Sequence, residues 1–148
     1  MGNSTFEIKL SKTDQEKVHT IELGGKKSTL VCPPPMMGEV EDATSPHHLF
    51  LASVGACVNL VFEIALSKAR IDLIDIKSDI SGDYETDEKT NESRFTKVRI
   101  TTYATVPEGV AESKLQRLYS LAHGNCPIGN CLVGSCVDLE TKLEITYK

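Results

Sequence analysis

The chain has 148 residues, 40% of them apolar and 25% charged, with a formal charge of −5 and a pI near 5.4. A chain of this length buries a working core without disulfides or metal, and its acidic balance excludes a nucleic-acid partner, which wants a basic face. No run of Lys or Arg points to an anionic membrane surface either.

The opening MGNSTFEIKLSK has no basic-then-apolar leader. Phe6 stands where a myristoylation signal needs Ser or Thr, so a cytoplasmic protein is expected. In that reducing compartment the five cysteines read as thiols rather than as a disulfide framework.

Strands are expected at FEIKL (6–10), KVHTIEL (17–23) and KKSTLVC (26–32), the last two joined by a Gly24-Gly25 hairpin turn. CPPPMMG (32–38) is a proline-stiffened loop, neither helix nor central strand. SPHHLFLASVGACVNLVFEIALSKAR (45–70) is a helix, with Ser45 as N-cap and Pro46 at the first position, where its missing N–H is harmless. From Leu49 to Leu66 nearly every residue is apolar or small, which predicts burial on most sides. Ala52, Ser53, Gly55 and Ala56 would let another backbone approach, that of a second subunit included. The most apolar run, Leu49 to Phe62, is too short to span a bilayer, and Asn59 and Glu63 interrupt or bound it.

IDLIDIKSDISGDYE (71–85) and RFTKVRITTYATV (94–106) alternate apolar and polar residues as half-buried strands do, with DEKTNES (87–93) between them as a turn or loop. EGVAESKLQRLYSLAHG (108–124) returns to helical spacing, with Ala111, Leu115, Leu118 and Ala122 on one face and Gly124 as the stop. SCVDLETKLEITYK (135–148) is a final strand. The order strands, buried helix, strands, helix, strand describes an α+β protein, with 1–148 as a single domain.

The stretch GNCPIGNCLVGSC (124–136) carries Cys126, Cys131 and Cys136 at a strict spacing of five. Zinc sites want ligand pairs two to four residues apart. Here helical neighbours would stand about 140° apart and strand neighbours on opposite faces, so no metal site is expected. Pro127 favours the first position of a helix and keeps the preceding residue out of helical angles. Cys126 is therefore expected to cap a short helix, Pro127 to Val133, with its sulfur where the helix dipole favours a thiolate. Cys131 and Cys136 read as small buried hydrophobes.

Cys57 lies mid-helix on a face with Phe50, Ser53, Val54, Val61 and Ile64. The bland reading is a core thiol, made inert by apolar burial. Reactivity would require a donor or positive charge nearby. His47 lies about 80° around the axis and nearly three turns away, which makes it a remote candidate.

Two segments together carry a resemblance. SPHHLFLASVGACV resembles the signature helix of the OsmC/Ohr superfamily, in which an Asn/Ser-Pro start leads through an Ala-rich run to a cysteine. HGNCPIGNCL resembles that family's second cysteine segment. The resemblance implies an OsmC-like fold in which two chains intertwine as a homodimer with active sites at the interface.

It also implies thiol peroxidase chemistry with no cofactor and a role in oxidative-stress defence. Cys57 would attack an organic hydroperoxide, and Cys126 would resolve the resulting sulfenic acid as a Cys57–Cys126 disulfide. A dithiol reductant, such as a dihydrolipoyl protein, would reset the pair. Met36, Met37 and Phe50 would line the substrate pocket.

Two features depart from the pattern. His47 occupies the position of a family glutamate. Every arginine (Arg70, Arg94, Arg99, Arg117) follows the first helix, leaving only Lys26 or Lys27 for the family's early arginine, and lysine lacks the planar fork. The chain thus resembles the divergent OsmC-like branch. A protonated His47 would be the substitute that stabilises a Cys57 thiolate. The competing reading is a redox-inactive dimer that binds an apolar small molecule in the same interface pocket.

Overall fold

A computed structural model describes residues 2–24, 27–34, 38 and 40–148 as two compact units, 1–50 and 51–148. In the first unit, β1 (Lys9–Lys12), β2 (His19–Glu22), β3 (Ser28–Val31) and β4 (Ala43–Thr44) form one sheet in chain order. The first two pairings are antiparallel and β3–β4 is parallel. Val18, Ile21, Val31 and Cys32 are buried. The Thr13–Val18 turn, closed by Thr13 Oγ1 donating to the Val18 carbonyl at 2.7 Å, sets the register Lys12↔His19. Pairing therefore starts at Lys9 rather than at the expected Phe6, whose side chain is 93% exposed. Gly25 and Lys26 of the expected turn lie outside the described residues.

The long helix α1 (Pro46–Lys68) starts as expected: Ser45 Oγ accepts from the His48 N–H at 3.3 Å. In the second unit follow β5 (Asp75–Thr86), β6 (Ser93–Val106), α2 (Glu112–Gly124), a single-turn α3 (Pro127–Asn130) and β7 (Asp138–Tyr147). The sheet order is β5-β6-β7, antiparallel then parallel. Val98, Ile100, Thr102, Ala104 and Val106 alternate inward along β6 and are buried, as the period of two requires.

At 23 residues and a mean hydropathy of 2.1 in its most apolar window, α1 is long and apolar enough to cross a membrane by length and composition. This corrects the shorter span read from sequence. Its contacts are nevertheless those of a core helix. Val54, Val58, Phe62 and Leu66, one helical stripe, are fully buried, and Asn59 is hydrogen-bonded to both β5 and β6. The expected burial on most sides is not seen within the chain, because Leu60 and Ile64 are 59% and 53% exposed.

Gly55 is buried against the chain's own sheet. A Cβ there would sit 2.6 Å from Ile80 Cδ1 and Cγ1, so the small residue serves the approach of α1 to β5. Ala52, Ser53 and Ala56 face outward.

On α2 the buried face is Leu115, Tyr119 and Ala122. Leu118 is half-buried and Ala111 is an exposed N-cap, so Tyr119 takes the place expected for Leu118. The reason is polar as well as apolar. Tyr119 packs edge-on against Phe62 at 5.1 Å and its hydroxyl lies 2.9 Å from Thr102 Oγ1. Asn59 Oδ1 accepts from Thr102 Oγ1 (3.2 Å) and Ser78 Oγ (2.7 Å). This buried network ties α1, β5, β6 and α2 together and leaves its members partnered, as burial requires.

Candidate functional site

Cys57 is half-buried in the middle of α1. Cys126 has no exposed surface and is the N-cap of α3, in an extended conformation (φ −76°, ψ 110°) ahead of Pro127. This is the backbone that the Cys-Pro pair predicts. Its sulfur accepts from the Gly129 N–H at 3.2 Å. The Cys57 side chain comes close enough to Cys126 to act on its thiol, and both cysteines are free. Two side chains remote in sequence are thus brought together by the fold.

The charge state of Cys126 departs from expectation. Its pKa is pushed up to about 11, first by burial and then by the Cys57 thiol, against the lowering effect of the Gly129 and Ile128 amides. The local argument from the helix end names two real contributions, but the desolvation of a fully buried sulfur outweighs them. At neutral pH Cys126 therefore keeps its proton. The α3 helix is also shorter than expected, ending at Asn130 rather than Val133.

His47 is half-buried in the first turn of α1, and its neighbour His48 is exposed with Nδ1 2.7 Å from Ser45 Oγ. His47 and Phe50 belong to the first unit and Cys57 to the second. Met36 and Met37 lie outside the described residues, as does Lys26. Arg99 is committed to a bidentate pair with Asp83, at 2.8 and 2.7 Å, which depresses the Asp83 carboxyl.

Cys131 and Cys136 are exposed, which corrects their reading as buried hydrophobes. Cys131 Sγ donates to the Pro127 carbonyl at 3.3 Å and Cys136 Sγ to the Phe95 carbonyl at 3.8 Å. Cys136 precedes β7 instead of opening it. Cys32 is buried at the end of β3, with its thiol 3.6 Å from the Thr44 carbonyl. Among the described residues, no group of three or more His, Cys, Asp or Glu is placed to hold a metal ion.

Sequence reasoning did not find the Gly129 amide or the Asn59–Ser78–Thr102–Tyr119 network. The G-x-C pentads drew attention to the cysteines and gave the intervening glycines no role. A Cβ on Gly129 would come within 3.3 Å of Cys126 Sγ.

The fold recurs in solved structures. An OsmC like protein from Mycoplasma pneumoniae superposes with a TM-score of 0.83 at 12% identity, over 99% of this chain and all of the other. An organic hydroperoxide resistance protein OsmC from Legionella pneumophila gives 0.75 at 19% identity, over 97% and 99%. The organic hydroperoxide resistance protein OhrB of Bacillus subtilis gives 0.67 at 20%, over 95% and 98%. No curated protein matches the sequence. The model of the OsmC-like protein family matches residues 38–142, a stretch that contains α1, Cys57 and the Cys126 cap, and the chain belongs to that family.

Proposed function

We propose that the protein is a thiol-dependent peroxidase that reduces organic hydroperoxides in the cytoplasm. The observation that supports this reading is the meeting of the Cys57 and Cys126 side chains. The raised pKa of Cys126 divides their labour. A sulfur that holds its proton at neutral pH does not begin the attack on a peroxide, so Cys57 is the attacking group and Cys126 the protonated thiol beside it, whose proton leaves later with the sulfenic hydroxyl as water.

The Cys57 thiolate attacks the O–O bond, forming an S–O bond and expelling an alkoxide, which takes up a proton and leaves as the alcohol. Cys126 then condenses with the Cys57 sulfenic acid, losing water and closing the disulfide before further oxidation. A dithiol, of the dihydrolipoyl type, returns both thiols by exchange. His47 is proposed as the charge that replaces the missing arginine. An unchanged pH profile of Cys57 alkylation in His47→Gln would remove it from that role.

A homodimer is part of the proposal. Leu60, Ile64 and Leu121 are more than half exposed, and a cleft of about 590 Å³ lined by Val61, Ile64, Leu118 and Leu121 runs between α1 and α2. The same cleft favours the second reading, a redox-inactive dimer that binds an apolar molecule.

One experiment separates the two readings. The protein is treated with a stoichiometric organic hydroperoxide, and intact mass and disulfides are mapped. The peroxidase loses two hydrogens at Cys57–Cys126, and Cys57→Ser does not. Unreacted thiols, or pairing among Cys32, Cys131 and Cys136 that goes on unchanged in Cys57→Ser, leave the binding protein standing. Sedimentation over a range of concentrations tests the dimer.

A further inference from the structure

The peroxidase reading uses one of the three cysteines in the pentad repeat and leaves two exposed thiols beside the site. We propose that Cys131 and Cys136 form a surface dithiol that takes over the disulfide from Cys57–Cys126 and presents it to the reductant. The inference rests on the function proposed above.

A Cys57–Cys126 bridge is badly placed for a macromolecular dithiol, since one sulfur has no exposed surface and the other is half-buried. Cys131 and Cys136 are both exposed and held only by long thiol–carbonyl contacts.

They flank one tight turn. The Ser135 N–H donates to the Leu132 carbonyl at 3.0 Å, and Gly134 supplies the left-handed residue (φ +73°) the turn needs. Such a turn holds its ends, Leu132 and Ser135, within about 7 Å, and the two cysteines stand one residue outside it on either side. The link to the buried pair is α3, a four-residue turn with Cys126 as its N-cap and Cys131 as its C-cap. A helix of one turn has no stability of its own. It is held by few bonds, chiefly Asn130 N–H to Cys126 carbonyl (2.8 Å) and Cys131 N–H to Pro127 carbonyl (3.3 Å). Unwinding it leaves the five-residue step from Cys126 to Cys131 a flexible loop that is free to close.

The transfer is two thiol–disulfide exchanges. The Cys131 thiolate attacks Cys126 Sγ, the Cys57–Cys126 bond breaks, and Cys57 leaves as a thiolate. The Cys136 thiolate then attacks Cys131 Sγ and expels Cys126. The two protons released by Cys131 and Cys136 are taken up by Cys57 and Cys126, and two electrons pass inward. An external dithiol reduces the Cys131–Cys136 bridge.

The test follows disulfides in the full chain after a stoichiometric pulse of tert-butyl hydroperoxide, with acid quenching, alkylation and peptide mapping over time. The relay predicts that Cys57–Cys126 appears first and declines as Cys131–Cys136 grows by the same amount. In Cys131→Ser and in Cys136→Ser the Cys57–Cys126 bridge persists. If Cys57–Cys126 accumulates in the unaltered protein and never moves, the relay is wrong and the peroxidase stands. If Cys131–Cys136 forms equally fast in Cys57→Ser, the surface pair is oxidised directly and the relay is overturned. If Cys57 is not oxidised at all, the peroxidase reading falls and the relay with it.

Discussion

Gly55 is the position where helix and sheet leave no room, and its substitution by alanine tests the packing that holds Cys57. In an open helix interior, Gly→Ala stabilises by about 1 kcal/mol. Here the new Cβ would lie 2.6 Å from both Cδ1 and Cγ1 of Ile80. The Cδ1 methyl can swing away, but Cγ1 moves only with χ1, which is stiff in a β-branched residue. Overpacking of this kind costs about 1–3 kcal/mol, so Gly55→Ala should lose up to about 2 kcal/mol net. The sign should reverse when Ile80 is cut back. In an Ile80→Ala background the clash is gone, and Gly55→Ala should gain about 1 kcal/mol from helix propensity alone. Urea unfolding of the four proteins in this cycle gives the coupling directly. Because Cys57 is two residues beyond Gly55, the single variant should also form the Cys57–Cys126 bridge more slowly under hydroperoxide. If Gly55→Ala stabilises the protein by the same amount in both backgrounds, the close approach of α1 to β5 is not what fixes this helix.

Tyr119→Phe keeps the edge-on contact with Phe62 and removes only the bond to Thr102, so it should cost about 1 kcal/mol in a urea titration. Thr102→Val should cost more, about 1–3 kcal/mol, because it strands the buried Tyr119 hydroxyl; the reverse ranking would contradict the network. Gly129→Ala presses a methyl to within 3.3 Å of Cys126 Sγ and should slow closure of the Cys57–Cys126 bridge with little change in the urea midpoint. An unchanged closure rate would mean that the sulfur does not depend on this fit. Cys126, raised from 9.0 to about 11, keeps its proton in the folded state while the unfolded chain loses its own. Its contribution to stability is therefore complete below pH 9 and lost as pH rises towards 11. The unfolding free energy should fall across that window more steeply than in Cys126→Ala, and equal slopes would deny the shift.

What the sequence discloses here follows the range of each interaction. Ser45 and Pro46 start α1, Cys126 and Pro127 start α3, and Gly124 ends α2, because caps are decided within a few residues. The long β5–β6 pairing is visible in its own alternation. β4 is only two residues long and exists through its parallel pairing with β3, which no periodicity announces. Asn59, Ser78 and Thr102 carry no signal of their partnership in the sequence, because they meet from positions 19 to 43 apart in the chain. Leu118 outranks Tyr119 on hydrophobicity, and only that distant network reverses the choice.

The Cys126 thiol marks the same boundary within a single side chain. Its cap and its proline are local and were legible. Its burial, its amide donor and its contact with Cys57 are not, and the burial and that contact decide which way the proton goes. The helix dipole at α3 marks the right residue with the wrong charge. The sulfur that the helix end was expected to ionise is the one the fold keeps protonated, which is why the proposed reaction begins at Cys57.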